Sequence, residues 1–413
     1  MTKRILVVSQ HYWPENFRIT DICEAFVQRG IEVDVLCGLP NYPKGEFFSG
    51  YSWKGPFREE RRGVQIYRCR EIPRRGNTRS RIFWNYVSFP FFARMQLGRF
   101  KKKRYDAIFS YETSPVMMAY PAIRLAQKTG VPCTVYVLDQ WPENLYSVFP
   151  VKSRLLRKMA QAVSDWHYRK ADRLIALSSQ AQEHLMRLTG KSREKVAVIP
   201  QYCEDFYAQR PQVPPEIRTL FSGAFTVLFA GNISPAQSLE TLVLAAKQAE
   251  ETAPGAVRCV IVGDGMSRGS LERFCQEQRV AHLFTFTGQK KAEEIPLYQA
   301  AAGALFAGLN RSDMLGFTIP AKIASYCAAG RPILASMDGA GADVVRKAGC
   351  GFASPAENVD ELAKNLLTLA AASPEERARM GEAGFAYYRA HFRRDAILDE
   401  LESFLFTSKG ILP

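Results

Sequence analysis

The sequence lacks the features that define several common classes of protein. Its nine cysteines are scattered without a C-x-x-C pair, and its five histidines form no cluster. Disulfide scaffolds and zinc domains depend on such spacing, so we expect buried free thiols in a reducing compartment and no metal site. No apolar run approaches the roughly 18 residues of a membrane span, and no charged-then-apolar leader opens the chain. We therefore expect a cytoplasmic protein.

A dinucleotide fingerprint is also missing. The first strand-like run, KRILVVS, is followed by QHYWPENFRI, which contains no G-x-G-x-x-G and places bulky residues where a pyrophosphate needs bare backbone. A nicotinamide or flavin enzyme is therefore disfavoured. The chain also shows no internal repeat of solenoid length and no low-complexity tract.

The composition is that of an ordinary globular protein with an uneven distribution of charge. Its 413 residues are 47% hydrophobic and 23% charged, and this length fits two domains. Residues 1–104 hold 21 Lys and Arg against nine Asp and Glu, a net +12 of the total +14. A basic segment of this kind is expected to bind an anionic partner, whether lipid, nucleic acid or phosphorylated substrate.

Continuous apolar runs alternate with amphipathic stretches along nearly the whole chain. Such runs predict parallel strands that are covered on both faces. The candidate strands are 5–9, 33–37, 107–111, 133–139, 174–178 and 196–200, then, after a proline-containing stretch at 211–215, 226–231, 258–263, 284–288, 303–308 and 332–336. The pattern predicts two α/β, Rossmann-like domains, 1–205 and 206–390, with a ligand cleft at the carboxyl ends of their strands. Residues 391–413 are predicted to be helical and to pack back on the first domain.

The loop after the first strand is the first candidate binding segment. Glu15 and Asn16 look like a loop that ends at a helix cap, and an amphipathic helix follows through Gln28. A simple turn and cap would account for Asn16. It would not account for the aromatic residues of this loop, which lie beside Arg18.

Three glycine turns follow predicted strands of the second domain. Gly231 with Asn232 ends one strand, V-G-D-G at 262–265 ends the next, and the G-x-G at 339–341 follows the strand at 332–336. Pro320 suits the first turn of a helix that stops near Gly330, and Lys322 then lies in the first turn. A lysine there opposes the helix dipole, but a bound diphosphate would reverse that penalty because the lysine and the free amides would both contact an anion. A solvated surface lysine is the alternative.

These segments carry a resemblance to a known family. They are YWPENFRI at 12–19, LDQWPENLYS at 138–147, GN-x-x-x-A-Q at 231–237, VGDG at 262–265 and PAKIASYCAAGRPILAS at 320–336. Together they resemble the family 4 retaining glycosyltransferases of GT-B fold, and the branch that builds bacterial surface polysaccharides such as O-antigen and capsule. The resemblance implies two facing Rossmann-like domains, an activated sugar donor held mainly by the second, an acceptor held by the first, and no metal requirement. We expect the donor to be a UDP-sugar and expect no cofactor.

The resemblance also assigns residues. The predicted donor-binding residues are Gly231, Asn232, Gln237, Gly263, Gly265, Thr318, Ile319, Lys322 and Ser325, and the predicted acceptor-binding residues are Glu15, Asn16 and Arg18. Two glutamates that many members carry are replaced by Phe317 and Ser325, and Asn232 and Gln237 stand where many members have a basic pair. Lys322 would supply the missing positive charge, and Ser325 would hydrogen-bond a ribose hydroxyl more weakly than a carboxylate.

For the chemistry, the resemblance indicates the segment DQWPEN, which follows the strand at 133–139. Asp139 stands in a slot where many relatives carry a histidine, and Glu143 is the second predicted catalytic carboxylate. In retaining transfer the leaving diphosphate can itself take the acceptor proton, so the protein mainly positions groups and stabilises charge. A helix cap or a loop hydrogen bond is the alternative role for Asp139.

A basic and aromatic segment, residues 74–104, predicts binding to the inner face of the cell membrane. Its predicted membrane-contacting residues are Arg79, Arg81, Phe83, Trp84, Lys101, Lys102 and Lys103. Basic residues near an anionic leaflet contribute roughly 1 kcal/mol each, and aromatic side chains suit the headgroup boundary. A core helix with a solvated basic flank is the alternative.

The predicted function is transfer of a hexosamine or deoxyhexosamine from a UDP-sugar to a polyprenyl-diphosphate-linked saccharide. A GT-B sugar-nucleotide 2-epimerase shares the fold but would be expected to have a denser set of histidines and carboxylates. A nucleic-acid-binding protein would explain the basic quarter, yet the chain carries no recognition-helix, RRM or zinc pattern. Nucleic acid is therefore not an expected partner.

Overall fold

The computed structural model describes residues 2–142, 145–146, 153–312 and 315–407. The chain divides into two compact units, Met1–Ile199 with Leu398–Pro413 and Pro200–Ile397. Each unit is built on a mostly parallel sheet with helices. The predicted fold class of two Rossmann-like α/β domains is confirmed at the level of these units.

The first unit contains an eight-stranded sheet in the order β3-β4-β2-β1-β5-β6-β7-β8. Only the β3–β4 pair is antiparallel. The strands are β1 (Arg4–Val8), β2 (Glu32–Gly38), β3 (Arg58–Arg61), β4 (Val64–Cys69), β5 (Ala107–Glu112), β6 (Cys133–Val137), β7 (Arg173–Ala176) and β8 (Val196–Val198). All six predicted strands of this unit are present, and β3 and β4 are additional.

The described helices of the first unit connect these strands. They are α1 (Arg18–Gln28), α2 (Arg79–Lys101), α3 (Tyr120–Thr129), α4 (Arg154–Lys170) and α5 (Ser179–Thr189). The last helix of the chain, α14 (Arg394–Phe406), begins in the second unit and enters the first at Leu398. It is held there by Glu402, whose carboxylate lies 3.0 Å from Lys3 and 3.4 Å from Arg29.

The second unit contains a six-stranded, fully parallel sheet in the order β11-β10-β9-β12-β13-β14. Its strands are β9 (Phe225–Ala230), β10 (Val257–Val262), β11 (Phe284–Gly288), β12 (Ala304–Gly308), β13 (Ile333–Ser336) and β14 (Gly351–Ser354). The connecting helices are α6 (Pro215–Leu220), α7 (Leu239–Thr252), α8 (Arg268–Glu277), α9 (Ile295–Ala301), α10 (Ala321–Ala329), α11 (Ala340–Ala348), α12 (Val359–Ala371) and α13 (Pro374–His391). This strand order reverses direction between β9 and β12, which is where open α/β sheets bind ligands.

Burial on both faces explains why the apolar runs form strands. In β9, Leu228 and Ala230 belong to one core cluster while Val227 and Phe229 belong to another. Alternate residues of a strand point to opposite faces, so each face of the sheet is packed by its own set of helices. All nine cysteines are buried free thiols, as predicted.

Candidate functional site

The loops that follow β9 and β10 are joined by backbone hydrogen bonds at the carboxyl edge of the second sheet. The Gly231 N–H donates to the Val262 carbonyl and the Ile233 N–H to the Asp264 carbonyl, both at 2.9 Å. A Cβ at Gly263 would overlap the Gly231 carbonyl oxygen, and the φ of Gly263, 143°, also favours glycine. Bare backbone therefore lines this part of the edge, which allows a ligand to approach closely.

The loop after β12 joins the same edge. The Asn310 N–H donates to the Ala236 carbonyl at 3.1 Å, and this links the loop to the short 3₁₀ turn that carries Gln237. Asn232 is exposed, and its side-chain oxygen lies against Gly265, where a Cβ would come within 2.5 Å of it. The predicted residues that follow β9 and β10 are thus brought together.

Lys322 lies in the first turn of α10, directly after Pro320 and Ala321, as predicted. Its ammonium group donates a hydrogen bond to the Gln237 side-chain oxygen and lies 4.3 Å from the centroid of the Phe229 ring. A Cβ at Gly231 would lie 2.7 Å from its Cε. The ammonium group therefore lies beside the glycine turn that follows β9, at the reversal point of the sheet.

The electrostatic state of Lys322 suits an anionic ligand. Burial lowers its pKa from the ordinary 10.5 to about 8, because a desolvated ammonium group loses hydration. Among the residues that the structure describes, Lys322 has no ion-pair partner, and its polar contact is the neutral Gln237 side chain. A bound phosphate would replace the lost hydration and raise this pKa again.

The remaining predicted donor residues flank this lysine. Thr318 and Ile319 are half-buried in the segment that precedes α10. Ser325 is buried one turn further along the helix, and its hydroxyl donates to the Lys322 carbonyl at 3.0 Å. Because the hydroxyl hydrogen is used within the helix, the Ser325 oxygen could accept a hydrogen bond from a ribose hydroxyl but could not donate one.

In the first unit, Asp139 lies half-buried two residues after the end of β6, in the segment that begins DQWP. Its neighbours are held by the adjacent strand and helix. The Leu138 N–H donates to the Glu112 carbonyl at 3.0 Å, and the Trp141 N–H donates to the Tyr168 hydroxyl at 3.2 Å. The segment is therefore anchored on both sides of Asp139.

Glu112, which the sequence analysis did not single out, lies behind this segment. It is the last residue of β5 and is fully buried, and one of its carboxyl oxygens has no hydrogen-bond partner among the described residues. Burial, and then the charge of Asp139, raises its pKa well above the usual range. Glu112 therefore keeps its proton to higher pH than an ordinary glutamate. Glu143, the second predicted catalytic residue, lies outside the described residues.

The predicted acceptor residues have different surroundings. Glu15 is buried, and its carboxylate accepts the backbone N–H groups of Asn41 and Tyr42 at 2.7 and 2.6 Å and contacts the His11 ring at 2.8 Å. Its oxygens are thus used within the fold. Asn16 is exposed, and Arg18 is the first residue of α1.

The expected helix cap at Asn16 is wrong. The residue that caps α1 is Phe17, with extended φ and ψ of −125° and 140° and no side-chain cap hydrogen bond. The Phe17 ring instead stacks on the His11 ring, with centroids 4.8 Å apart and planes 11° apart. Ring stacking therefore fixes where the loop enters the helix.

The basic and aromatic segment forms the long helix α2, and its residues divide by burial. Phe83 and Trp84 are half exposed, at 50% and 52%, while Tyr86 and Phe89 belong to the core. Arg79, Arg81, Lys101 and Lys102 are exposed. Lys103 instead forms an ion pair with Asp34 at 2.8 Å, so its charge is neutralised within the fold.

Two kinds of feature are absent from the part of the chain that the structure describes. No helix there is both long enough and apolar enough to cross a bilayer. The same residues contain no group of three or more His, Cys, Asp and Glu side chains placed to hold a metal ion.

Both halves of the chain match families of known function. Residues 16–201 match the glycosyl transferase 4-like domain, and residues 215–386 match glycosyl transferases group 1. One relative is a GDP-mannose-dependent alpha-(1-6)-phosphatidylinositol monomannoside mannosyltransferase of Mycobacterium tuberculosis. It is 25% identical over 307 residues, which cover 73% of this chain and 75% of the relative.

Solved structures resemble the whole chain. The crystal structure of Anabaena Alr3699/HepE in complex with UDP has a TM-score of 0.71 at 16% identity, covering 98% of this chain and 99% of that one. WaaG, a glycosyltransferase involved in lipopolysaccharide biosynthesis, has a TM-score of 0.66 at 13% identity, covering 98% and 100%. At these identities the likeness shows the fold.

We predict that Glu112→Gln makes the protein less sensitive to alkaline pH. The native state holds a proton on Glu112 that the unfolded chain releases above its ordinary pKa of about 4.3, so rising pH favours unfolding by up to about 1.4 kcal/mol per pH unit. Glutamine mimics the neutral acid and removes this loss. Melting temperatures should therefore agree near pH 5, with the variant higher at pH 8.

The control is Glu46→Gln, which removes an exposed carboxylate from the same unit. It should melt in parallel with wild type at every pH. A Glu112→Gln curve that also runs parallel to wild type would contradict the assignment of a neutral Glu112.

Proposed function

We propose that this chain, a GT-B glycosyltransferase, transfers sugar from a UDP-sugar to a lipid-linked saccharide. Its two halves match glycosyltransferase families, and glycosyltransferase structures resemble it over nearly the whole chain. The sugar transferred is a hexosamine or deoxyhexosamine, with retention at the anomeric carbon and without a metal. The product belongs to bacterial surface polysaccharide synthesis. Membership of transferase families favours this function over the epimerase and nucleic-acid alternatives.

The observation that carries the proposal is the desolvated Lys322 ammonium group beside the glycine turn of β9. A nucleoside diphosphate would lie with its phosphates over residues 318–322, contacting the amino end of α10 and the lysine. Gly231 and Gly263 leave room for the backbone to contact such a ligand. The UDP bound by the similar HepE structure supports this class of ligand.

A GDP-sugar is the second candidate donor. The mycobacterial relative is named for its dependence on GDP-mannose, whereas the similar HepE structure holds UDP. Both nucleotides present the same diphosphate to Lys322. The base must therefore be identified by direct comparison of UDP and GDP.

In the transfer step this chain supplies positioning and charge stabilisation. The acceptor hydroxyl attacks the anomeric carbon as the bond to the diphosphate breaks, and the leaving diphosphate takes the hydroxyl proton. Lys322 balances the negative charge that grows on the diphosphate. Asp139 orients the acceptor or stabilises the positive charge that develops on the sugar ring.

We place the acceptor on the first unit and that unit on the inner face of the cell membrane. Exposed basic residues and the half-exposed Phe83 and Trp84 of α2 provide charge and aromatic surface for an anionic leaflet. The name of the mycobacterial relative, which acts on a phosphatidylinositol glycan, and that of WaaG, in lipopolysaccharide biosynthesis, support a lipid-linked acceptor.

The first test is sugar transfer itself. Radiolabelled UDP-N-acetylhexosamines, and GDP-mannose for comparison, are incubated with polyprenyl-diphosphate-linked saccharides, and lipid-extractable label is counted. Transfer from a UDP-sugar should persist in excess EDTA, and Asp139→Asn should retain UDP binding while turnover falls about a hundredfold. Loss of transfer in EDTA would contradict the metal-free step. A fully active Asp139→Asn would remove Asp139 from the catalytic group.

The second test concerns Lys322. Lys322→Gln should weaken UDP binding by about tenfold or more, the scale of a charge-assisted contact worth roughly 1.5–3 kcal/mol. Because the free lysine has a pKa of about 8, wild-type affinity should also fall by about tenfold between pH 7 and 9, as the charged fraction of the lysine falls. The variant should show no such fall. Isothermal titration calorimetry measures both effects.

Lys347→Gln is the matched control, because Lys347 is an exposed lysine of the same unit. It should bind UDP like wild type at both pH values. Unchanged UDP affinity in Lys322→Gln would show that the diphosphate binds elsewhere.

The third test is co-sedimentation with vesicles. Wild type should pellet with phosphatidylglycerol vesicles at low salt, less so at high salt, and not with phosphatidylcholine alone, because basic residues near an anionic surface contribute about 1 kcal/mol each. A triple variant with Lys101→Gln, Lys102→Gln and Trp84→Ser should stay in the supernatant and still bind UDP. Lys103 is left in place because it pairs with Asp34.

The control is the double variant Lys347→Gln and Lys364→Gln, which removes two exposed lysines of the second unit. It should pellet like wild type. If wild type ignores anionic vesicles at low salt, the membrane proposal fails and an acceptor free in solution is favoured.

A further inference from the structure

Arg74 is held rigidly at the carboxyl end of the first sheet. It lies in the segment that leads from β4 to α2, and its Nε donates to the Asn85 side-chain oxygen at 2.8 Å. Its guanidinium carbon lies 5.3 Å from the centroid of the Tyr42 ring and 5.1 Å from that of Tyr86. Two aromatic rings and one amide therefore fix the orientation of the guanidinium group.

The backbone of Arg74 is fixed as well. Its N–H donates to the Asn41 side-chain oxygen at 3.4 Å. A Cβ at Gly45 would lie 2.7 Å from the Arg74 carbonyl carbon, so the preceding loop packs directly on this residue. Both ends of the side chain are thus preorganised before any ligand arrives.

The positive charge of Arg74 is not neutralised by a direct ion pair. Within the described parts of the chain, no carboxylate lies within ion-pair distance of its guanidinium group. Its Nη2 lies 3.5 Å from the His11 Nε2, and the Glu15 carboxylate contacts the other nitrogen of that ring. Glu71 is fully buried, and burial followed by the charge of Glu15 raises its pKa well above the usual range, while the charge of Arg74 acts in the opposite direction.

The chain around Arg74 adds further positive charge and aromatic surface. Arg75, Arg79 and Arg81 are all exposed. Phe83 and Trp84 follow within the first turns of α2, half exposed, with their ring centroids 5.6 Å apart. Four arginines within eight positions exceed what a single carboxylate needs, and they match a ligand with several negative charges joined to an apolar chain.

We propose that Arg74 binds the diphosphate group of the lipid-linked acceptor, with Arg75, Arg79 and Arg81 around it and Phe83 and Trp84 beside the first carbons of the lipid. This inference rests on the proposed function, because it takes the acceptor to be a polyprenyl diphosphate. Guanidinium presents paired N–H donors in a plane, which suits two phosphate oxygens. The aromatic rings hold that plane in position.

The experiment measures farnesyl diphosphate binding by isothermal titration calorimetry, with inorganic pyrophosphate as a second probe. UDP is kept saturating throughout, so that a diphosphate site around Lys322 is filled. The proteins are full-length wild type, Arg74→Gln, Arg74→Lys and, as the control, Arg187→Gln, which removes an exposed arginine of α5 in the same unit. Arg74→Lys keeps the charge and the stem between the two rings, so it tests the site even if Arg74→Gln destabilises the unit.

We expect Arg74→Gln to weaken farnesyl diphosphate binding between tenfold and a hundredfold, and Arg74→Lys about tenfold, because lysine cannot present the planar fork. Arg187→Gln should change it less than threefold, as expected for an exposed charge outside the proposed site. Binding of UDP, measured separately, should be the same in all four proteins. In the transfer assay the Arg74 variants should raise the acceptor KM more than they lower kcat.

Three results would overturn the inference. Wild-type affinity for farnesyl diphosphate in both Arg74 variants would make Arg74 a packing residue, while the proposed function would stand. An equal loss of UDP affinity would assign Arg74 to the nucleotide. If wild type bound no farnesyl diphosphate and transferred sugar to an acceptor without phosphate, both the inference and the proposed acceptor would be wrong.

Discussion

Backbone contact between the loops after β9 and β10 determines the geometry of the candidate donor site. The two loops share hydrogen bonds of 2.9 Å, and a side chain at Gly263 would overlap the Gly231 carbonyl. Because these loops lie this close, the stem of Lys322 can reach across Gly231 to the Gln237 side chain. A lysine in the first turn of a helix is unfavourable by itself, and the diphosphate proposed above would offset that cost.

The first sheet is also mostly parallel, but different groups lie at the carboxyl ends of its strands. Side chains take the place of glycine turns: the Glu15 carboxylate binds two backbone N–H groups of the loop after β2, and Asn85 fixes Arg74. Buried polar groups of this kind are costly unless they are paired, so the network specifies one loop arrangement. The two units thus have similar strand order and different chemistry at the same edge.

The sequence predicts the strands that are apolar throughout and misses those that are not. β3 is REER and has no apolar residue, and the short β14 is GFAS, so neither stands out from a loop. Site residues were predictable where a short local motif contains them, as at Gly231 after its strand and at Lys322 at the start of its helix. Contacts across long separations were not: the Arg74 and His11 side chains are 63 positions apart, and only the fold brings them within 3.5 Å. Glu112 left one local signal, an acidic residue that ends an apolar run.

The structure uses its cations in two distinct ways. Arg61 and Arg62 both pair with Glu24 at 2.7 Å, and Lys103 pairs with Asp34, so these charges are neutralised by the fold. Lys322 and Arg74 lie against aromatic rings and, among the described residues, form no ion pair. A ring attracts a cation by about 0.5–2 kcal/mol but carries no net charge, so it holds the cation without neutralising it. Each cation can therefore still attract an anionic ligand. In a partly desolvated position this electrostatic attraction is stronger than it would be in water. The ion-paired Arg61 and Lys103 also lie over rings, at 4.6 Å from Trp13 and 4.7 Å from Tyr67. What distinguishes the two cations proposed to bind substrate is therefore their position at the carboxyl edge of a sheet without a carboxylate in ion-pair contact among the described residues.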